Sequence, residues 1–139
     1  MNPIRVILAA LGGFVAYFAV GAALFALVPS LINESRKYPS IFRDKDGQMS
    51  HMPVGMAATF LSILIVAVFY AQLYSGGSGL TQGAALGALI GLFVVFGFVL
   101  HNYVNLNVGL KLTLQNAAAY FLEWLITGIV IGLIYKPKA

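Results

Sequence analysis

Four apolar runs constrain what this chain can fold into more than any other feature. They cover about 4–28, 53–74, 80–103 and 113–135, and about 20 residues of α-helix suffice to cross roughly 30 Å of hydrocarbon. Helix is the expected form, because a segment in lipid must satisfy its backbone polar groups internally. The first run stops at Pro29. The second is expected to start at Pro53, a first-turn proline behind Ser50. The first run is longer than the apolar region of a signal peptide and lacks a small-x-small cleavage site, so it is read as a retained helix. The expected fold is all-α, an integral membrane four-helix bundle forming one domain over residues 1–139.

Composition points the same way. Only 9% of the residues are charged and 60% are apolar, whereas a soluble domain carries about 25% charged residues. The net charge of +4 comes from Lys and Arg flanking the apolar runs. Membrane lipid is therefore the expected anionic partner, and nucleic acid is not. The chain has no cysteine, which excludes disulfides, thiolate metal sites and thiol catalysis. No cofactor is expected. Arg36, Lys37, Arg43, Lys45 and Lys111 of the first and third connections outnumber Arg5, Lys136 and Lys138. By the positive-inside rule both termini then lie outside the cytoplasm.

The connections differ. SGGSG (75–79) is short, so the second and third spans are expected to be antiparallel neighbours. The stretch 33–52 holds seven of the twelve charged residues. With Tyr38, Ile41 and Phe42 interleaved, it is expected to lie on the headgroup layer, its DKDG forming a polar turn. His51 and His101 sit near interfaces with no acid at metal-ligand spacing, and no metal site is expected. Asn102, Asn105 and Asn107 are read as helix caps or turn residues.

An internal likeness links the second and fourth spans: AATFLSILIVAVFY (57–70) matches AAYFLEWLITGIVI (118–131) at six of fourteen positions. It suggests two helical hairpins in parallel repeat, with Ser62 the counterpart of Glu123 in that register. Gly83, Gly87 and Gly91, together with Ala9, Gly13 and Gly21 and with Gly128 and Gly132, form small-residue ridges that predict close helix packing.

The chemistry concentrates on the fourth span. At 100° per residue, Asn116, Tyr120, Glu123 and Thr127 share one face, with Trp124 at its edge. Glu123 falls near the bilayer centre, and no Lys, Arg or His occurs at that depth in any span. An unpaired carboxylate in hydrocarbon costs several kcal/mol, about enough to require a partner or a proton. The partner could be Ser62, Tyr17 or a carbonyl bonded to a protonated carboxyl, a cation in a crevice flanked by Tyr120 and Trp124, or a group on another subunit.

Residues 87–135 also carry a glycine-rich third helix, Asn105–Leu106 just past it, and the acid–Trp pair Glu123–Trp124. In these features the C-terminal half resembles small bacterial four-helix inner-membrane proteins, a family catalogued as domains of unknown function. In that family an aspartate lies nearer the helix start than Glu123 does. The resemblance implies four helices and a bacterial inner membrane, and no particular activity.

Two functions fit these residues. One is binding or transport of a small molecule, cation or proton at Glu123. Transport would need a homodimer, because four helices are few for a pathway. The other is an accessory or assembly subunit of a larger membrane complex. Ser62, Tyr17, Tyr120 and Thr127 are the only groups that could assist Glu123 in chemistry on lipid, and no motif joins them, so an enzyme is not expected.

Overall fold

In the computed structural model, which describes residues 1–135, every regular element is helical. Lys136 and Lys138 lie outside the described residues. Helix α1 (Pro3–Leu27) opens on Asn2, whose side chain accepts from the Arg5 amide at 3.2 Å. It ends at Val28, which the following proline drives out of the helical region (φ −125°, ψ 74°). A short helix, α2 (Ser30–Ser35), leads toward the second long helix, α3 (Lys45–Leu73).

Helix α3 begins at Lys45, well before the expected start at Pro53. Asp44 caps it, accepting from the Gly47 amide at 2.8 Å, and Asp46 complements the dipole in the first turn. Ser50 Oγ donates to the Gly47 carbonyl at 3.0 Å, and His51 Nδ1 lies 2.8 Å from the same oxygen. The polar opening turns thus bond to their own helix. DKDG is a helix start, not a polar turn. Pro53 sits inside the helix, where it denies the Met49 carbonyl its usual donor.

Helix α4 (Gly79–Val94) continues through a π-helical turn (Val95–Leu100) into a last α-helical turn, α5 (His101–Asn105), as one long apolar span. Helix α6 (Leu110–Tyr135) is the fourth. All four spans are long and apolar enough to cross a membrane. Leu8, Val15, Phe69, Leu89, Phe93 and Phe96 on their outer faces are 49% to 74% exposed, a surface that suits lipid and not water. The chain is an integral membrane helical bundle.

Helix α6 is central. It packs on α4 and α1 and also touches α3. Against α4 the contact is backbone to backbone: a Cβ on Gly87 would stand 2.6 Å from the Trp124 carbonyl oxygen, and one on Gly128 would stand 2.5 Å from that of Gly83. Only glycine permits this approach. The expected packing of the second span on the third does not occur, since α3 and α4 scarcely touch. A cleft of about 290 Å³ parts them, with Tyr70 and Tyr74 on one side and Gln82 and Leu86 on the other. The connection allows this because Gly76 and Gly77 take φ of 93° and 90°, a turn open to glycine alone. The small-residue face of α4 is already matched by α6, so α3 packs on α1 instead.

The bundle is solid at one end and splayed at the other. Toward the termini Ala10, Ile63, Ala67, Thr127 and Ile131 are completely enclosed. Tyr135 is buried there against Tyr70 and Tyr74, with ring centres 5.8 and 6.0 Å away. Toward the first and third connections, residues 48–58 of α3 and 25–29 at the end of α1 are exposed throughout. At this end α2 docks on α6. Glu34 Oε1 receives Lys111 Nζ at 2.6 Å and Lys37 Nζ at 2.9 Å. Gln115 Nε2 donates to Ser30 Oγ at 3.0 Å, and the Gly109 amide donates to the Tyr38 hydroxyl at 2.8 Å. The first connection is pinned to the start of α6.

Candidate functional site: a carboxyl in a one-sided cavity

Glu123 stands halfway along the 26-residue helix α6. It is only 9% exposed, and what exposure it has faces a cavity of about 530 Å³ between α1, α3 and α6. Each helix contributes its half nearest the first and third connections. Helix α1 brings Tyr17, Phe18, Gly21 and Phe25. Helix α3 brings Gln48, Met52, Gly55, Met56 and Thr59, and α6 brings Asn116, Tyr120 and Glu123. The carboxyl marks the deep end, because the enclosed residues around Thr127 and Ile131 close the bundle beyond it.

The immediate surroundings of the carboxyl are specific. A Cβ on Gly21 would lie 2.8 Å from Glu123 Oε1, so the absence of a side chain there gives the carboxyl its room. The Tyr17 hydroxyl is the polar group directed at it. Tyr17 is held by an edge-on contact with Trp124, ring centres 5.5 Å apart at 67°. Among the described residues Glu123 makes no ion pair, whereas Glu34 makes two. Burial of a carboxyl without a fixed cation leaves it able to take a proton or a positively charged group from outside.

The residues expected to form the site separate into three groups. Glu123, Tyr120, Asn116 and Tyr17 come together on the cavity wall. Trp124 is a core residue, 8% exposed, placed behind Tyr17 and not in the cavity; it cannot form one side of a cation box. Thr127 is turned into the solid end beside Gly13, with its Oγ1 lacking a hydrogen-bond partner. Ser62 is exposed on the outer face of α3 and donates to its own Ala58 carbonyl at 3.0 Å. It does not meet Glu123, and the two hairpins pack differently around these positions.

The sequence reading missed the α3 wall and the role of Gly21. Gln48, Met52, Gly55, Met56 and Thr59 recur at one-turn intervals along one helical face, a signal that a helix start at Asp44 would have exposed. It also missed a second cavity of about 220 Å³, between the π-helical turn and α6, lined by Phe42, Phe98, Asn102 and Tyr103 among others. Asn116 and Tyr120 line both cavities and form the partition between them. π-Turns often accompany functional sites. The side chains of Asn102, Asn105 and Asn107 cap no helix; Asn102 faces this second cavity instead. Among the described residues no three His, Asp or Glu come together as a metal-ligand set.

Compared with protein-family models, with curated proteins and with solved structures, the chain matched none. Fold and site together define a four-helix integral membrane protein with an unpaired carboxyl at the floor of an intramembrane cavity.

Proposed function

We propose that this protein binds a cationic group, or a proton, at Glu123. One observation carries the reading: the one acid at mid-span lines a cavity of about 530 Å³, with no cation beside it among the described residues. The volume lies within the range of small-molecule sites, as does the mix of many apolar side chains with a few convergent polar ones. Tyr17 and Tyr120 add aromatic surface that favours cations. Transport is a further step. It would require the solid end of the bundle to open, through rearrangement or a homodimer. The family resemblance of residues 87–135, and the bacterial inner membrane it implies, belong to the same proposal. So does the absence of enzymatic chemistry.

The test is labelling of the purified protein with an apolar carbodiimide across pH, with Glu123→Gln as control. Labelling at Glu123, protected by an organic cation, is the expected result. For a bound cation, loss of the carboxylate should cost about tenfold or more in affinity, the weight of a charged hydrogen bond. If Glu123 resists the reagent at every pH in the folded protein, the carboxyl is sealed and the reading is wrong.

A second reading, an accessory subunit of a membrane complex, draws on the unpacked opening arm of α3. Its exposed residues 48–58 offer a surface for a neighbouring helix. Co-purification of a stoichiometric partner that is lost on substituting this arm would favour it.

A further inference from the structure

We infer that the ligand of Glu123 is an amphiphilic cation, a compact ammonium-type head on an alkyl tail, that reaches the carboxyl sideways from the lipid through the gap between α1 and α3. The inference rests on the proposed cation site and adds its ligand class and its route.

The walls of the cavity are divided by chemistry. Its inner wall, on α6, carries Asn116, Tyr120 and Glu123. Its rim, where α1 and α3 splay apart, carries Phe18, Phe25, Met52 and Met56, which are 38% to 53% exposed, with the polar Gln48 and Thr59 one turn to either side on α3. A rim of aromatic and thioether side chains suits an alkyl chain, and methionine adapts to chains of varied shape. Entering by that gap, a hydrophilic cation would have to cross the rim without its water. A polar track inside and an apolar rim outside together suit a ligand with a charged head and a greasy tail. The head descends along Asn116 and Tyr120 to the carboxyl while the tail stays in lipid between the two helices. A neutral lipid chain would fill the rim but leave Glu123 unanswered. A hydrophilic cation would instead come from the open end of the bundle, beside Gln48.

Gly55 provides a test that does not depend on how a ligand partitions into the bilayer. It lines the cavity, and a Cβ there would meet nothing within 4 Å, so Gly55→Phe starts its side chain in open space, with Gly55→Ala as the control for the backbone change. The protein in lipid nanodiscs would be treated with carbodiimide in the presence of decyltrimethylammonium, tetramethylammonium or decanol. Fluorescence of Trp124, the sole tryptophan, serves as a second readout and as a check on folding. The expected result is protection of Glu123 by decyltrimethylammonium alone. Measured against the variant's own labelling rate without ligand, Gly55→Phe should raise the concentration required about tenfold, the loss expected when one buried apolar contact is displaced. Equal protection by tetramethylammonium, or indifference to Gly55→Phe, would overturn the lateral route and the amphiphile while leaving the cation site intact. Equal protection by decanol would overturn the requirement for charge. Protection by none of the three, with Glu123 still labelled, would remove both the inference and the cation reading beneath it.

Discussion

At the scale of single residues, the site depends on what is missing as much as on what is present. Gly21 contributes nothing but space, and Glu123 Oε1 occupies it. Gly21→Ala therefore separates position from stability. The gain in helix propensity, up to about 1 kcal/mol, offsets the small cost of moving the end of a flexible side chain, so the melting temperature should barely change. The carboxyl, however, is pushed from its seat against Tyr17. Cation protection of Glu123 should weaken roughly five- to tenfold, the worth of a misplaced hydrogen bond. Undiminished protection would mean that the seat does not matter. Glu123 was legible in the sequence because a carboxyl is conspicuous among apolar residues. Gly21 was not, because the same glycine serves equally in a packing ridge, and only its neighbour across the interface distinguishes the two roles.

At the scale of elements, two glycine settings with opposite consequences follow from the packing. On α4, Gly87 faces the carbonyl oxygens of Trp124 and Leu125 at 2.6 and 2.8 Å from where its Cβ would be. Backbone cannot yield as a side chain can. Gly87→Ala should therefore force α4 off α6 and destabilise the bundle by about 1–3 kcal/mol. Gly55→Ala on the free arm of α3 meets no neighbour and should be neutral or stabilising by up to about 1 kcal/mol. Reversible unfolding of the two variants in bicelles measures both, and equal effects would contradict the packing described here. The α3 arm also explains the largest error of the sequence reading. Pro53 behind Ser50 has the form of a helix start, whereas Asp44 with Gly47 is the real cap. Placing the start at Pro53 left Gln48 and Met52 in a connection and hid the stripe that lines the cavity.

At the scale of the whole molecule, the bundle is closed at its terminal end and open at the other, where the first connection is pinned by Glu34. The Lys111 ammonium, and after it that of Lys37, hold the Glu34 carboxyl below its ordinary value of 4.5, and Glu34 in turn raises Lys37 above 10.5. A carboxyl with a lowered folded value contributes its stabilisation in full above the ordinary value and loses it as pH falls through the lowered one. The docking of α2 on α6 should thus persist at neutral pH and loosen below about pH 4.5. The raised lysine has the opposite sense, its share being lost only as pH rises above 10.5. Amide protection factors in residues 30–38, corrected for the intrinsic pH dependence of exchange, should fall on acidification of the native protein and be low already at neutral pH in Glu34→Gln. A flat profile would show that the hydrogen bonds of Ser30 and Tyr38 hold the connection without the charges.

By itself the sequence determined that the chain spans a membrane, that it does so four times as helices, and that its one intramembrane acid lies at mid-depth. These follow from local quantities, namely apolar length, backbone hydrogen bonding and residue spacing, which no partner can reverse in hydrocarbon. The tertiary structure decided which helix touches which. It placed α6 at the centre, parted α3 from α4, turned Thr127 and Trp124 into the core and Ser62 out to the lipid-facing surface, and joined α3 to α1 around Glu123. Every apolar helix face is equally at ease in lipid, so hydrophobicity cannot choose among pairings. The choice falls to the fit of glycine against backbone, which one strand of letters does not reveal.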